Sequence, residues 1–292
     1  MNAMERVLII GATGRIGREV VRLLAERGSS LRALVRAPGP LGLGAGIEQV
    51  AGDLCDPEAL RRAFAGVDHV VLITPDGPEQ AALESAAMVA AARADVRQIV
   101  KISACVAGSP ELSRFGEQHA RAESALRASG VNWTVLRPNL FMQNFLDFAP
   151  MIAAQRLFMA PLAGARISMI DARDVAAAAC AVLGRAEQFG LTHALTGPVS
   201  LHFADAAAIL STELGAQVRY RPVPGALAGL AMLAGRMNWW QMRGILEVFA
   251  FARAGHEAEV TQTLQSLTGQ PPRSFAAFVR DHRDRFLKRA PA

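Results

Sequence analysis

In the first half of the chain the apolar positions fall into short, unbroken runs. RVLII (6–10), LRALVR (31–36), IEQVAGDL (47–54), DHVVLIT (68–74), VRQIVKIS (96–103) and VNWTVLRP (131–138) read as strands. A strand with one wet face would alternate apolar and polar residues. Continuous runs mark strands covered on both faces, as in a parallel sheet. Between them the spacing turns helical, at 18–27, 57–65, the Ala-rich 79–94 and 116–129. This alternation predicts an α/β fold, a doubly wound parallel sheet with right-handed crossovers.

After about residue 140 the rhythm changes. A helical pattern covers 141–155, and 166–180 reads as a short strand feeding a helix capped near Asp171 or Asp174. LTHALTG (191–197) is a further strand, LHFADAAAILSTELG (201–215) a helix ending at Gly215, and VRYRPVP (218–224) a short strand. The remainder to Arg289 is mostly helical. The expected division is 1–150 and 151–292, a sheet domain and a smaller, mostly helical lobe, with the chain crossing between the two.

Composition narrows the function. Thirty-one Lys and Arg against 26 Asp and Glu leave a charge of +5, with the basic residues scattered. That excludes a dedicated nucleic-acid surface as the first expectation. Cys55, Cys105 and Cys180 lie far apart with no CxxC, as expected for reduced thiols in a cytoplasmic protein. The uncharged stretch 222–235 is too short to span a membrane. No metal-ligand spacing is present, and no metal is expected.

GATGRIG (11–17) follows the first strand and opens the first helix. Gly11 and Gly14 let a pyrophosphate approach the backbone, Gly17 lets the helix lie near the sheet, and the helix start offers unpaired N–H groups. Thr13, Arg15 and Ile16 complete the loop. A ligand-free tight turn is the alternative reading. An NAD site would place an acid about 20 residues on. LRALVRAP has none there, and it has Arg32 and Arg36. A guanidinium suits a 2′-phosphate, so NADP(H) is expected, with Arg36 as its main ligand. Asp53 and Leu54, in GDL, are placed at the adenine edge, where Asp53 also reads as a turn cap. The ends of later strands bring Thr74 and Pro75, Ser103, and Pro138 with Asn139 to the carboxyl edge of the sheet, where ligands bind.

GATGRIG, GDL, KIS, GVNWTVLRPNLFMQNF, DARDVAAAA, HALTGP and GQPPRSFAAFVRDH occur in this order across nearly the whole chain. Together they resemble the NmrA-like family of atypical short-chain dehydrogenases/reductases. The resemblance implies a Rossmann-type sheet with a small C-terminal lobe over the active-site cleft. It implies NADPH-dependent reduction of quinones, azo or triphenylmethane dyes, or a role in secondary metabolism. It equally admits a redox sensor that binds NADP and works through a protein partner. A homodimer is also compatible. The wider superfamily uses Ser with Tyr-x-x-x-Lys. Ser103 keeps its place, but the Tyr and Lys positions hold His119 and Glu123, and the sole tyrosine is Tyr220.

His119 and Glu123 are four apart and share a helical face. Two readings stand side by side. In one, His119 protonates the acceptor and Glu123 orients the ring; in the other, the two form a structural pair. Quinones, azo bonds and cationic dye carbons accept hydride without a strong protein acid. Phe141, Met142, Asn144 and Phe145, with Trp239, are the expected contacts to a small aromatic substrate. Trp240 and Met242 are further candidates. Ordinary core packing is the alternative for each.

Overall fold

The computed structural model describes residues 5–44 and 46–288. Strands β1 (Arg6–Ile10), β2 (Ser30–Val35), β3 (Glu48–Ala51), β4 (His69–Leu72), β5 (Gln98–Ile102) and β6 (Asn132–Pro138) pair in parallel. The order is 3-2-1-4-5-6, with β9 (Leu191–Leu195) added beyond β6. Helices α1 (Arg15–Glu26), α2 (Pro57–Phe64), α3 (Gln80–Arg93) and α4 (Arg114–Ala128) connect the strands. This is the doubly wound Rossmann-type sheet that the unbroken apolar runs predict. The sequence reversal between β1 and β4 marks the switch point at which such sheets bind ligands.

Local chemistry explains the boundaries. Asp56 caps α2 by accepting from Glu58 N and Ala59 N, and Pro57 opens the helix where no N–H is needed. Leu8, Leu72, Ile99 and Val135 pack with Leu60, Phe64 and Met88 into a dry core on one face. α6 (Ala172–Val182) packs along α1 with an alanine-rich, almost wholly buried surface, and Arg27 donates to Cys180 O.

The chain divides into two compact units, but not at residue 150. The first runs to Pro110 and includes Phe115–Arg137 and Ala172–Ala194; the second takes Glu111–Arg114, Pro138–Asp171 and everything from Leu195 onward. The predicted boundary therefore moves back to 137/138, where Pro138 ends β6. Segment 172–194 returns to the sheet because α6 covers α1 and β9 extends the edge.

The second unit contains α5 (Ala149–Gln155), β7 (Leu157–Ala160), β8 (Arg166–Ile167), β10 (Leu201–His202), α7 (Phe203–Leu214) and β11 (Arg219–Pro222). It continues with α8 (Gly225–Ala234), α9 (Trp239–Arg253), α10 (Thr263–Thr268), α11 (Phe275–Asp281) and α12 (Arg283–Leu287). The helix expected over 141–155 is split. Residues Met142–Phe148 form 3₁₀ turns, and α5 starts only at Ala149, because Pro150 sits best in a first helical turn. Among the described residues no helix is long and apolar enough to cross a membrane.

Candidate functional site

The glycine loop is built by exclusion of side chains. Gly11 adopts φ +82°, and a Cβ there would lie 2.3 Å from Ile73 O. A Cβ at Gly17 would lie 2.1 Å from Gly11 O and 2.8 Å from Ala12 Cα, so only glycine lets α1 settle against the loop. Gly14 differs. It caps α1 without a side chain, its N–H donates to Gly11 O, and a Cβ would meet only that oxygen, at 3.3 Å. α1 has no acid in its first turn. Thr13, Gly14 and Arg15 are exposed around it, while Ile16 is buried beneath. This cradle fits a dinucleotide pyrophosphate.

On β2 and just beyond its end, Arg32 and Arg36 separate in role. Arg32 is buried and spent on the fold: its Nε stands 2.9 Å from Glu48 Oε2, and Nη1 donates to Ala63 O and Ala65 O at 2.9 and 2.7 Å. Arg36 is exposed and has no hydrogen bond or ion pair among the described residues. Asp53 accepts from Cys55 N at 2.8 Å, which realises its turn-cap reading, and Leu54 is half-buried beside the core.

Thr74, just beyond β4, opens a buried polar chain. Thr74 Oγ1 donates to Glu84 Oε1 at 2.5 Å, and Gln80 Nε2 donates to both oxygens at 3.2 Å. Lys101 Nζ lies 2.5 Å from Glu84 Oε2, and both side chains are fully buried. The same ammonium faces His119 Nδ1 at 3.4 Å, where Gln80 Nε2 also points, at 3.3 Å. Both groups are donors only, so Nδ1 must offer its lone pair. The ring proton then sits on Nε2, 3.2 Å from Asp76 Oδ1, a carboxylate that only accepts. Lys101 and Gln80 at Nδ1 and Asp76 at Nε2, three neighbours in all, thus place the ring proton of His119 on Nε2.

Glu123 belongs to a second cluster. Its carboxylate is fully buried and accepts from Ser103 Oγ at 2.8 Å, Arg137 Nε and Nη2 at 2.9 and 2.7 Å, and Arg127 Nη2 at 2.8 Å. Burial pushes this carboxyl up, but the bonds from Arg137, Ser103 and Arg127 outweigh it and hold the group below its ordinary value. The Arg137 guanidinium is held above its own, first by the Glu123 bond. Neither expected His119–Glu123 pairing forms. The two share a helical face, but strand-borne cations draw them apart, Lys101 of β5 toward His119 and Arg137 of β6 toward Glu123. Lys101, Glu84 and Gln80 were not found from the sequence. The available signal was a lysine inside an apolar strand and a glutamate inside an alanine helix.

In the second unit several expectations are corrected. Asn139 is buried. Its Nδ2 donates to Ser168 Oγ and Glu257 O at 2.7 and 2.9 Å, and its Oδ1 accepts from Leu140 N at 2.7 Å. Its amide is committed to this unit rather than held out for a cofactor, and Pro138 before it is buried too. Met142 and Phe145 present no surface to a ligand, because both are 1% exposed. Phe145 centres an aromatic core with Phe275 and Phe158 at 4.7 and 5.4 Å. The 3₁₀ turns rotate it inward. Phe141 and Asn144 are half-buried, and Phe141 bridges to Ile170. The hydroxyl of Tyr220 donates to Ala160 O in the same core. Trp239 is 60% exposed at the start of α9, with the Arg243 guanidinium over its ring. It lines a groove of about 560 Å³ with Gly229, Leu230, Leu233, Met242 and Leu246. Trp240 lies under the Arg114 guanidinium. Among the described residues no group of three His, Cys, Asp or Glu side chains forms a metal site.

Comparison with known proteins agrees with this geometry. An NAD(P)H azoreductase of Xenophilus azovorans is 36% identical, with 94% of this chain and 97% of that protein covered. A (4-alkanoyl-5-oxo-2,5-dihydrofuran-3-yl)methyl phosphate reductase of Streptomyces griseus is 37% identical, with 96% and 99% covered. The crystal structure of an NADPH-dependent quinone oxidoreductase of Escherichia coli, complexed with NADPH, superposes with a TM-score of 0.86 at 27% identity, over 95% of this chain and 99% of that one. The model of the NmrA-like family matches residues 3–266, from the first strand through the glycine loop and both buried clusters into the second unit, and the chain belongs to that family.

Proposed function

We propose that the chain is an NADPH-dependent reductase that passes hydride from the nicotinamide directly to a quinone-like or conjugated aromatic acceptor. Its standing as an NADP(H)-binding oxidoreductase is supported by the end-to-end similarity to two reductases and by the fit of the glycine loop. When bound, the cofactor supplies the hydride. The chain cradles the pyrophosphate at Gly11–Gly14 and offers Arg36 to the 2′-phosphate.

One observation carries the choice of acceptor. Ser103, whose counterpart in ordinary carbonyl reductases works with a tyrosine and a lysine, gives its hydroxyl proton to Glu123, and those Tyr and Lys positions hold His119 and Glu123. A simple ketone reduced by hydride becomes a strongly basic alkoxide that needs a proton at once. A quinone, an azo group or a conjugated enone spreads the new charge and tolerates slower protonation. An azo group and a 4-alkanoyl-5-oxo-dihydrofuran, named for the two relatives, are both conjugated electrophiles of this kind. His119, with its proton on Nε2, is the candidate donor, and Phe141, Asn144 and Trp239 remain candidate substrate contacts. Geometry does the remaining work by holding a flat acceptor against the nicotinamide.

The test is NADPH oxidation against quinones, azo dyes, triphenylmethane dyes and simple ketones, with NADH in parallel. Turnover is expected with at least one conjugated class and not with ketones. His119→Ala should lower turnover by about 10²-fold if His119 donates the proton, while NADPH binding stays close to wild type. Tight NADP(H) binding with no turnover of any acceptor would replace the reductase with a cofactor-sensing protein.

A further inference from the structure

Residues 37–44, APGPLGLG, follow β2 with two prolines and three glycines. Such a composition suits a loose connection. Here it is fastened at three points. Gln49 of β3 accepts from Gly39 N at 2.9 Å and donates back to Gly39 O at 3.0 Å. Leu43 turns its side chain into the core. Arg18, in the first turns of α1, reaches across the surface: Nε donates to Thr13 O at 2.9 Å, and Nη1 donates to Leu41 O at 2.7 Å and Gly42 O at 3.3 Å. Gly42 makes the approach feasible. It adopts φ +65°, and a Cβ there would lie 3.2 Å from Arg18 Nη1.

The charge is as informative as the geometry. α1 carries Arg15 and Arg18 near its positive end and no acid in its first turn. A cation at that end opposes the helix dipole, so its placement calls for an anion nearby. All three Arg18 bonds end on carbonyl oxygens, which orient a guanidinium without neutralising it. Neither Arg18 nor Arg36 meets a carboxylate among the described residues, whereas Arg32 is paired with Glu48. Arg36 opens the segment that Arg18 ties down.

We propose that Arg18 is a positioning residue that sets the preference for NADP(H) over NAD(H). It straps residues 41–42 to the glycine loop at Thr13. Together with Gln49 at Gly39, the strap holds the segment, and with it Arg36, at the end of β2 where a 2′-phosphate is read. Its own unneutralised charge adds to the attraction for that phosphate. The inference rests on the NADP(H) reading given above.

Arg18→Lys and Arg18→Met separate strap from charge. Lysine keeps the charge but cannot hold Thr13 O and the two carbonyls of the segment with a planar fork. Methionine keeps only the stem. Calorimetric titration of the wild type and both variants with NADP⁺ and NAD⁺ is the primary measurement, and hydrogen exchange over 37–44 is the second. Both variants should bind NADP⁺ about tenfold more weakly, keep NAD⁺ within about threefold, and exchange faster over 37–44. Wild-type NADP⁺ affinity in Arg18→Lys would overturn the strap. Equal weakening toward both dinucleotides would also overturn it, by assigning Arg18 to the shared pyrophosphate. A wild type that binds neither dinucleotide would remove the NADP(H) reading itself, and Arg36→Ala keeps the two failures apart. That variant should lose the NADP⁺ preference whether or not Arg18 matters.

Discussion

Glu84 and Glu123 are both fully buried carboxylates on consecutive crossover helices, yet they are satisfied in opposite ways. Glu84 meets a lysine that is itself fully buried, together with Thr74 and Gln80. Glu123 meets two arginines whose side chains are 24% and 43% exposed, together with Ser103. A lysine ammonium is a compact point charge and fits a closed chamber between α3 and β5. Guanidinium forks cover both carboxylate oxygens and keep their outer edges in water. The first cluster is a dry ion pair, in which desolvation of both partners offsets most of the attraction. The second leaks its charge to solvent and is cheaper to maintain.

The largest expected effect follows from the dry pair. Lys101→Met leaves Glu84 buried with no cation, which should cost about 3–5 kcal/mol in urea unfolding. Adding Glu84→Leu should recover most of that loss, because the double variant replaces two desolvated charges with apolar packing. A single variant as stable as wild type would break the comparison, since Glu84 would then have to be reaching water.

Glu123 gives a smaller effect with a pH signature. Its folded carboxyl is held below the ordinary value. Its stabilisation is therefore complete above the unfolded carboxylate range, near about pH 4.3, and is lost as pH falls through the lower folded value. Glu123→Gln should destabilise by about 1–3 kcal/mol at neutral pH, by weakening four charge-assisted bonds. The gap between variant and wild type should close as the acid limb is reached. A gap that stays constant down to acid unfolding would mean that the charge contributes nothing beyond shape.

The sheet was legible because strands covered on both faces leave a periodicity that nothing else in the chain imitates. The glycine loop was legible because it joins a strand to a helix: Gly11 and Gly17 leave no room for a Cβ, and Gly14 caps α1. Pairings of side chains were less so. Spacing alone joins His119 to Glu123, and only the strands beneath α4 show why each takes a different cation. Phe145 and Asn139 were misread for a related reason. Both follow Pro138, where the chain leaves the sheet unit, and the 3₁₀ turns before Pro150 shift which residues face inward. The interleaved units are set by which helix covers α1, a tertiary choice that no local pattern records.

The smallest effect sharpens the first cluster where it meets solvent. Asp76 is half-exposed and accepts from His119 Nε2, so its charge is largely screened there. Asp76→Asn retains an acceptor oxygen and should change stability by less than about 1 kcal/mol. The tautomer is the stricter observable. Nitrogen-15 spectra, with the His119 resonance assigned by its loss in His119→Gln, should show the proton on Nε2 in wild type and in Asp76→Asn alike. Lys101 and Gln80, rather than Asp76, dictate it by presenting donors to Nδ1. A proton found on Nδ1 would mean that the Lys101 ammonium turns away from the ring. The buried lysine would then serve Glu84 alone, and the two carboxylate clusters would differ only in their cations and not in what they hold in place.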